Sequence, residues 1–195
     1  ARREVWKRSW WAALLRGRRE MALVKVWLCG GGSCEIGNRD QWEGRRSGVL
    51  EALLLRVAPE GWTVLGATRW SSLRKYVAKA PLDKADKRGH ADEKNVKGLL
   101  YEARRRGADV VAFLRDVDNH EERVQIIHRG IEGATSLSGT QAVLQIIAGF
   151  PRPNLEGWIL ALSKVNDTDD MSRDRAKSEL AAREISDRNV EEYVS

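Results

Sequence analysis

The sequence predicts an α/β fold, a mainly parallel sheet with helices on both faces, built as a single domain. Two observations carry this. Apolar runs rich in β-branched residues recur along the chain, and they are continuously apolar rather than alternating, as strands buried on both faces are. Between them lie segments whose apolar residues fall three and four apart, the period of a helix that buries one face. The length, 195 residues, suits one sizeable core.

Taken in order, residues 1–20 form a basic, Trp-rich leader, "ARREVWKRSWWAALLRGRRE", that holds +5 of the formal +6 charge. Trp6, Trp10 and Leu14 stand at helical spacing. Two readings stay open: a basic amphipathic arm that touches phosphates or lipid headgroups, and an extension of little consequence. The remainder is almost neutral, so charge alone does not define a nucleic-acid binder. A compact α/β domain is expected over 21–165, opening at Met21.

The expected strands are "VKVWL" (24–28), "WTVLGA" (62–67), "DVVAFL" (109–114) and "AVLQIIA" (142–148). Helices are expected in "SGVLEALLLRVA" (47–58), "DEKNVKGLLYEARRRG" (92–107), "HEERVQIIHRGIEGA" (120–134) and, after the prolines of "PRPN", "LEGWILALSKV" (155–165). Gly107 is the expected C-cap of the second. Residues 78–98 read as a charged loop leading into that helix: a solvated surface, or a cationic flap over a substrate. A charged helical tail, 166–195, contains the amphipathic segment "MSRDRAKSELAAREI".

Several chemistries are excluded or unsupported. No apolar stretch nears the ~18 residues of a membrane span. Cys29 and Cys34 lack the second ligand pair of a zinc site, and reduced thiols imply a cytoplasmic protein. A Walker loop is absent; the dinucleotide and nucleophile-elbow patterns both fail at Glu35. No spacing supports a Cys34 nucleophile with His90 or His120.

Parallel sheets collect ligands beyond the carboxyl ends of their strands. There the sequence places "LCGGGSCEIG" after the first strand, "RDVDNHEE" after the third, and "LEGW" after the fourth. Glu35, Asp116, Asp118 and Glu156 are therefore candidate metal ligands, with Glu35, Asp116 and Asp118 the candidate catalytic acids. Clustered carboxylates need a cation to offset their repulsion, and oxygen ligands select Mg²⁺ or Mn²⁺. The alternative for each is structural: Asp116 and Asp118 as caps of the helix starting near Asn119, Glu156 as a first-turn acid facing water. Lys94, Arg104, Arg105 and Arg115 are candidate phosphate-binding residues, the alternative being solvated helix faces.

These motifs resemble the TOPRIM domain, the metal-dependent catalytic module of topoisomerases, primases and OLD-like nucleases. The likeness is to small prokaryotic TOPRIM-like proteins and extends from Met21 over most of the chain. "FLRDVD" matches the family's D-x-D at a strand end, and "LEGWILAL" is similar to the E-x-W-L helix of OLD-like proteins. In the family's E-G-x-x-[DE] motif, Gly32 and Glu35 match while Gly31 stands in place of the catalytic glutamate. The resemblance implies Mg²⁺-dependent phosphodiester chemistry on nucleic acid, as in a nuclease of a prokaryotic phage-defence or mobile-element system. The substitution at Gly31 implies the alternative, a catalytically degenerate adaptor for a protein or nucleic-acid partner or for another copy of the chain.

Overall fold

The computed structural model describes residues 23–37, 47–80, 89–117, 120–136, 144–152, 154–163, 165–168 and 171–185. The leader therefore lies outside the described residues. The strands are β1 (Val24–Gly30), β2 (Trp62–Arg69), β3 (Val110–Leu114) and β4 (Gln145–Gly149). They form one sheet in the order β2-β1-β3-β4, with every neighbouring pair parallel. The helices, in chain order, are α1 (Ser33–Ile36), α2 (Val49–Val57), α3 (Arg74–Val77), α4 (Ala91–Arg105), α5 (Glu121–Ser136), α6 (Leu155–Leu162) and α7 (Arg173–Ala182). The short helices α1 and α3 have no counterpart in the sequence reading, because one turn is too brief for a 3.6-residue period to register.

Strand period two divides the core. Val24, Val26 and Leu28 of β1 and Val110, Ala112 and Leu114 of β3 pack with α2, α6 and α7 on one face. Trp27, Cys29, Val111 and Phe113 pack with α4 and α5 on the other. Both faces are covered, so the strands read as unbroken apolar runs. Phe113 is fully buried, and withdrawing such a side chain from water contributes about 1.5–3 kcal/mol. The amphipathic segment of the tail belongs to this core, because Ala176 and Leu180 of α7 join the first cluster.

Local chemistry fixes the helix ends. His90 caps α4 by accepting the Asp92 N–H at Nδ1, 3.2 Å away. Asn154 caps α6 through the Gly157 N–H at 2.8 Å. Gly107 follows α4 with φ +72°, the left-handed geometry expected of it. Gly48, before α2, is required for space: a Cβ there would overlap the Gly37 nitrogen and the Glu35 carbonyl.

Candidate functional site at the carboxyl edge of the sheet

The strand order places a crevice between β1 and β3. From β1 the chain moves outward to β2 by way of α2 on one face. From β3 it moves the other way to β4 by way of α5 on the opposite face. Crossovers of one hand must change face when they change direction, and two adjacent strands whose loops part to opposite faces leave an opening beyond their ends. Cys29 pairs with Phe113, so the glycine loop after Gly30 and the Arg115–Asp116 turn after Leu114 leave the sheet side by side.

In the glycine loop, Glu35 folds back over the backbone. Its Oε2 accepts the Gly32 N–H at 2.7 Å. A Cβ on Gly31 would lie 2.8 Å from Glu35 Oε1, and one on Gly30 would lie 2.5 Å from Glu35 Cβ. None of Gly30, Gly31 and Gly32 has a positive φ. The glycines thus make room for the carboxylate of their own loop, and left-handed backbone is not their purpose.

Asp116 and Glu156 come together, as their positions after β3 and β4 suggest, but around a guanidinium. Arg173, from the first turn of α7, donates from one Nη to Asp116 Oδ2 at 2.9 Å and from Nε to Glu156 Oε1 at 3.2 Å. Lys177 Nζ adds a longer approach to Glu156 at 3.9 Å. Both carboxylates are largely shielded, and Arg173 is half exposed. Asp116 does not cap α5, which starts five residues later; Glu156 is a first-turn acid but an ion-paired one rather than one left to water. Asp118 lies outside the described residues.

A divalent cation fits this arrangement poorly. Among the described residues no three His, Cys, Asp or Glu side chains group as a metal site. The Glu35 carboxylate serves Gly32, and the negative charge of Asp116 and Glu156 is already offset by Arg173. Glu35, Asp116 and Glu156 therefore share an edge of the sheet without forming one ligand set.

The four predicted phosphate contacts divide by location. Lys94 and Arg115 line a cleft of about 630 Å³ on the α4 face, together with Trp70, Arg74, Asp92 and Asn95. Arg104 and Arg105 sit about 15 Å along α4 from Lys94, at 1.5 Å per residue, towards the opposite edge of the sheet. There Arg104 donates to the Ala134 carbonyl at 3.2 Å, and burial pushes its pKa down. Arg105 makes a two-bond fork to Glu102, 2.8 Å on each arm. Glu102 is wholly buried, and hydrogen bonding to Arg105 holds its carboxyl at about 2 against the opposing effect of burial. Both arginines thus make contacts within the fold, away from the cleft.

Asp92, Arg123 and Arg173 escaped the sequence reading. Asp92 accepts the Trp70 indole N–H at 3.0 Å and pairs with Arg123 Nε at 3.1 Å. Arg123 also donates to the Asp116 carbonyl at 2.9 Å, which ties the cleft to the β3 exit. Trp70 and Asp92 lie 22 residues apart and Arg173 and Asp116 57 apart, and no local spacing encodes such meetings. Cys29 is buried beside Arg115 and Glu35, and burial drives its thiol far above the ordinary range. His90 serves as a helix cap. No helix among the described residues is long and apolar enough to cross a membrane.

Fold and edge together define a parallel α/β protein whose strand order changes direction between β1 and β3. No protein-family model matches the chain, and neither the curated proteins nor the solved structures contain a significant match.

Proposed function

We propose that this chain is a TOPRIM-like binding module for nucleic acid in which a resident arginine takes the place of catalytic metal. The observation that carries the reading is Arg173, whose guanidinium bridges Asp116 and Glu156 at the carboxyl edge. Gly31, in the position where the resembled family has its catalytic glutamate, supports it from the sequence. So does the parallel sheet, with Glu35 and Asp116 leaving adjacent strands. The positive charge that a hydrolytic site takes from Mg²⁺ comes here from a side chain, which stabilises the carboxylates without activating water. A cytoplasmic setting with reduced thiols, and a role in prokaryotic defence or mobile elements, belong to this proposal and rest on the resemblance.

The second reading is a Mg²⁺- or Mn²⁺-dependent nuclease, favoured by Asp116 standing at the end of β3 as the first acid of a D-x-D pair with Asp118. Incubation with labelled DNA and RNA, with either cation or with a chelator, separates the two. The binding module retains nucleic acid in chelator and leaves it intact in all conditions. Cation-dependent cleavage that disappears in Asp116→Asn would establish the nuclease instead.

A further inference from the structure

We propose that the cleft on the α4 face is a binding site for a nucleotide phosphate, separate from the acids around Arg173. The cleft lies between the exit of β2, the first turns of α4 and the exit of β3, and its volume of about 630 Å³ falls in the range of small-molecule pockets, roughly 300–1,000 Å³. Three cationic side chains line it, Arg74, Lys94 and Arg115, against one carboxylate, Asp92.

That carboxylate is already shared among protein donors. Asp92 accepts the Trp70 indole N–H and pairs with Arg123 Nε, while Arg115 approaches it only at 3.6 Å. Cations outnumber carboxylates three to one in the lining, and the amino end of the 15-residue helix α4 adds its dipole.

Arg115 is held ready for an anion. Its guanidinium lies 5.2 Å from the centre of the Trp70 ring, and the ring is itself buried against Phe113. The ring thus supports the guanidinium on one side, and a planar fork pairs with two phosphate oxygens at once. The Arg115 Nε is shielded from solvent and has no hydrogen-bond partner among the described residues, so the rest of the guanidinium is the part that can meet an acceptor in the cleft. Arg74 is exposed at the rim, where it can meet an entering charge. The Asn95 side chain offers both a donor and an acceptor, which suits a base or sugar edge. Three cations with apolar wall from Trp70 and Val77 match a phosphate carried on a nucleoside better than a bare anion.

The phosphate could belong to a free nucleotide or to the 5′ end of a nucleic acid. The inference gives a ligand to the module proposed above and rests on that reading, but it uses none of Glu35, Asp116, Glu156 or Arg173. Calorimetry on the full chain would compare adenosine 5′-monophosphate with adenosine, and a 5′-phosphorylated oligonucleotide with its 5′-hydroxyl form. The phosphorylated member of at least one pair should bind at least tenfold more tightly. Arg74→Gln and Lys94→Gln should each weaken that binding by about tenfold, the scale of one charge-assisted contact. Arg115→Gln should weaken it further, and the other two variants, one of them at the exposed Arg74, keep the test valid if that protein fails to fold. Preference for the mononucleotide pair identifies a nucleotide site, and preference for the oligonucleotide pair a 5′-end site. Equal binding of phosphorylated and unphosphorylated forms, or unchanged affinity in Arg74→Gln and Lys94→Gln, overturns the inference. Nucleic acid retained by those two variants would then leave the binding module standing without this cleft; mononucleotide binding with no retention of nucleic acid would leave the cleft standing without the module.

Discussion

The Arg173 guanidinium lies 2.9 Å from Asp116 Oδ2 across 57 residues of sequence, and its Nε reaches Glu156 in the same grasp. One cation offsets two acids that sequence position alone would have assigned to a metal. Replacing it tests whether the pairing is energetic or incidental. In urea unfolding, a double-mutant cycle of Arg173→Gln and Asp116→Asn should show coupling of about 0.5–1 kcal/mol, the upper part of the range for partly exposed pairs. Additive losses would mean that the contact contributes nothing.

The two glycines flanking Glu35 in space should respond differently. Gly31→Ala places a Cβ against the tip of a flexible carboxylate, at ordinary φ, and should be nearly neutral. Gly48→Ala drives a Cβ into the backbone of Gly37 and Glu35, and overpacking against atoms that cannot rotate away costs about 1–3 kcal/mol or more. Equal melting temperatures for the two variants would refute this account of the loop.

Gly31→Glu asks whether the acid edge is degenerate or shifted. Under the nuclease reading of a degenerate site, the added carboxylate raises cation-dependent cleavage by one or more decades, since a general base contributes about 10²–10⁴ in rate. If Glu35 has taken over the role, Glu35→Ala abolishes native cleavage and Gly31→Glu adds little. Under the binding-module reading neither variant cleaves DNA or RNA.

Glu102 gives the fold a dependence on acid. Its carboxyl is lowered from an ordinary 4.5 to about 2, chiefly by the Arg105 hydrogen bond, with Arg106 adding to it. A lowered folded-state pKa stabilises the protein above the unfolded value, and the contribution is lost as pH falls from about 4.5 towards 2. Urea midpoints should therefore drop through that window. Glu102→Gln should lower stability at neutral pH and flatten the drop; an equally steep fall in the variant would assign it to other groups.

The leader, which holds most of the net charge, should govern salt-sensitive binding. Each phosphate neutralised on duplex DNA contributes about 0.9 to the slope of log affinity against log salt. Removing residues 1–20 should flatten that slope if the arm contacts nucleic acid. An identical slope and affinity without them would make it an inert extension.

Much of this fold was legible because its signals are local. Strands β1 and β3, buried on both faces, wrote themselves as "VKVWL" and "DVVAFL", and the helices between carried their period and, at Gly107, a stop. Strand order was not local: nothing in "WTVLGA" says that β2 lies outside β1 while β3 lies inside. That order puts Glu35 and Asp116 at one crevice, and the sequence reached it only by the general rule for strand ends.

Local order of residues therefore set the layer structure and the edge where polar groups would gather, because side-chain period and chain direction are properties of neighbouring residues. Tertiary structure decided what those groups do. It folded Glu35 onto Gly32, brought Arg173 to Asp116 and Glu156, and set Arg115 on Trp70 above Asp92. It also sent Arg104 and Arg105 to the far end of α4. A charge has no fixed partner until packing selects one, and only distance in the folded chain decides whether a carboxylate meets a metal, a backbone N–H or an arginine.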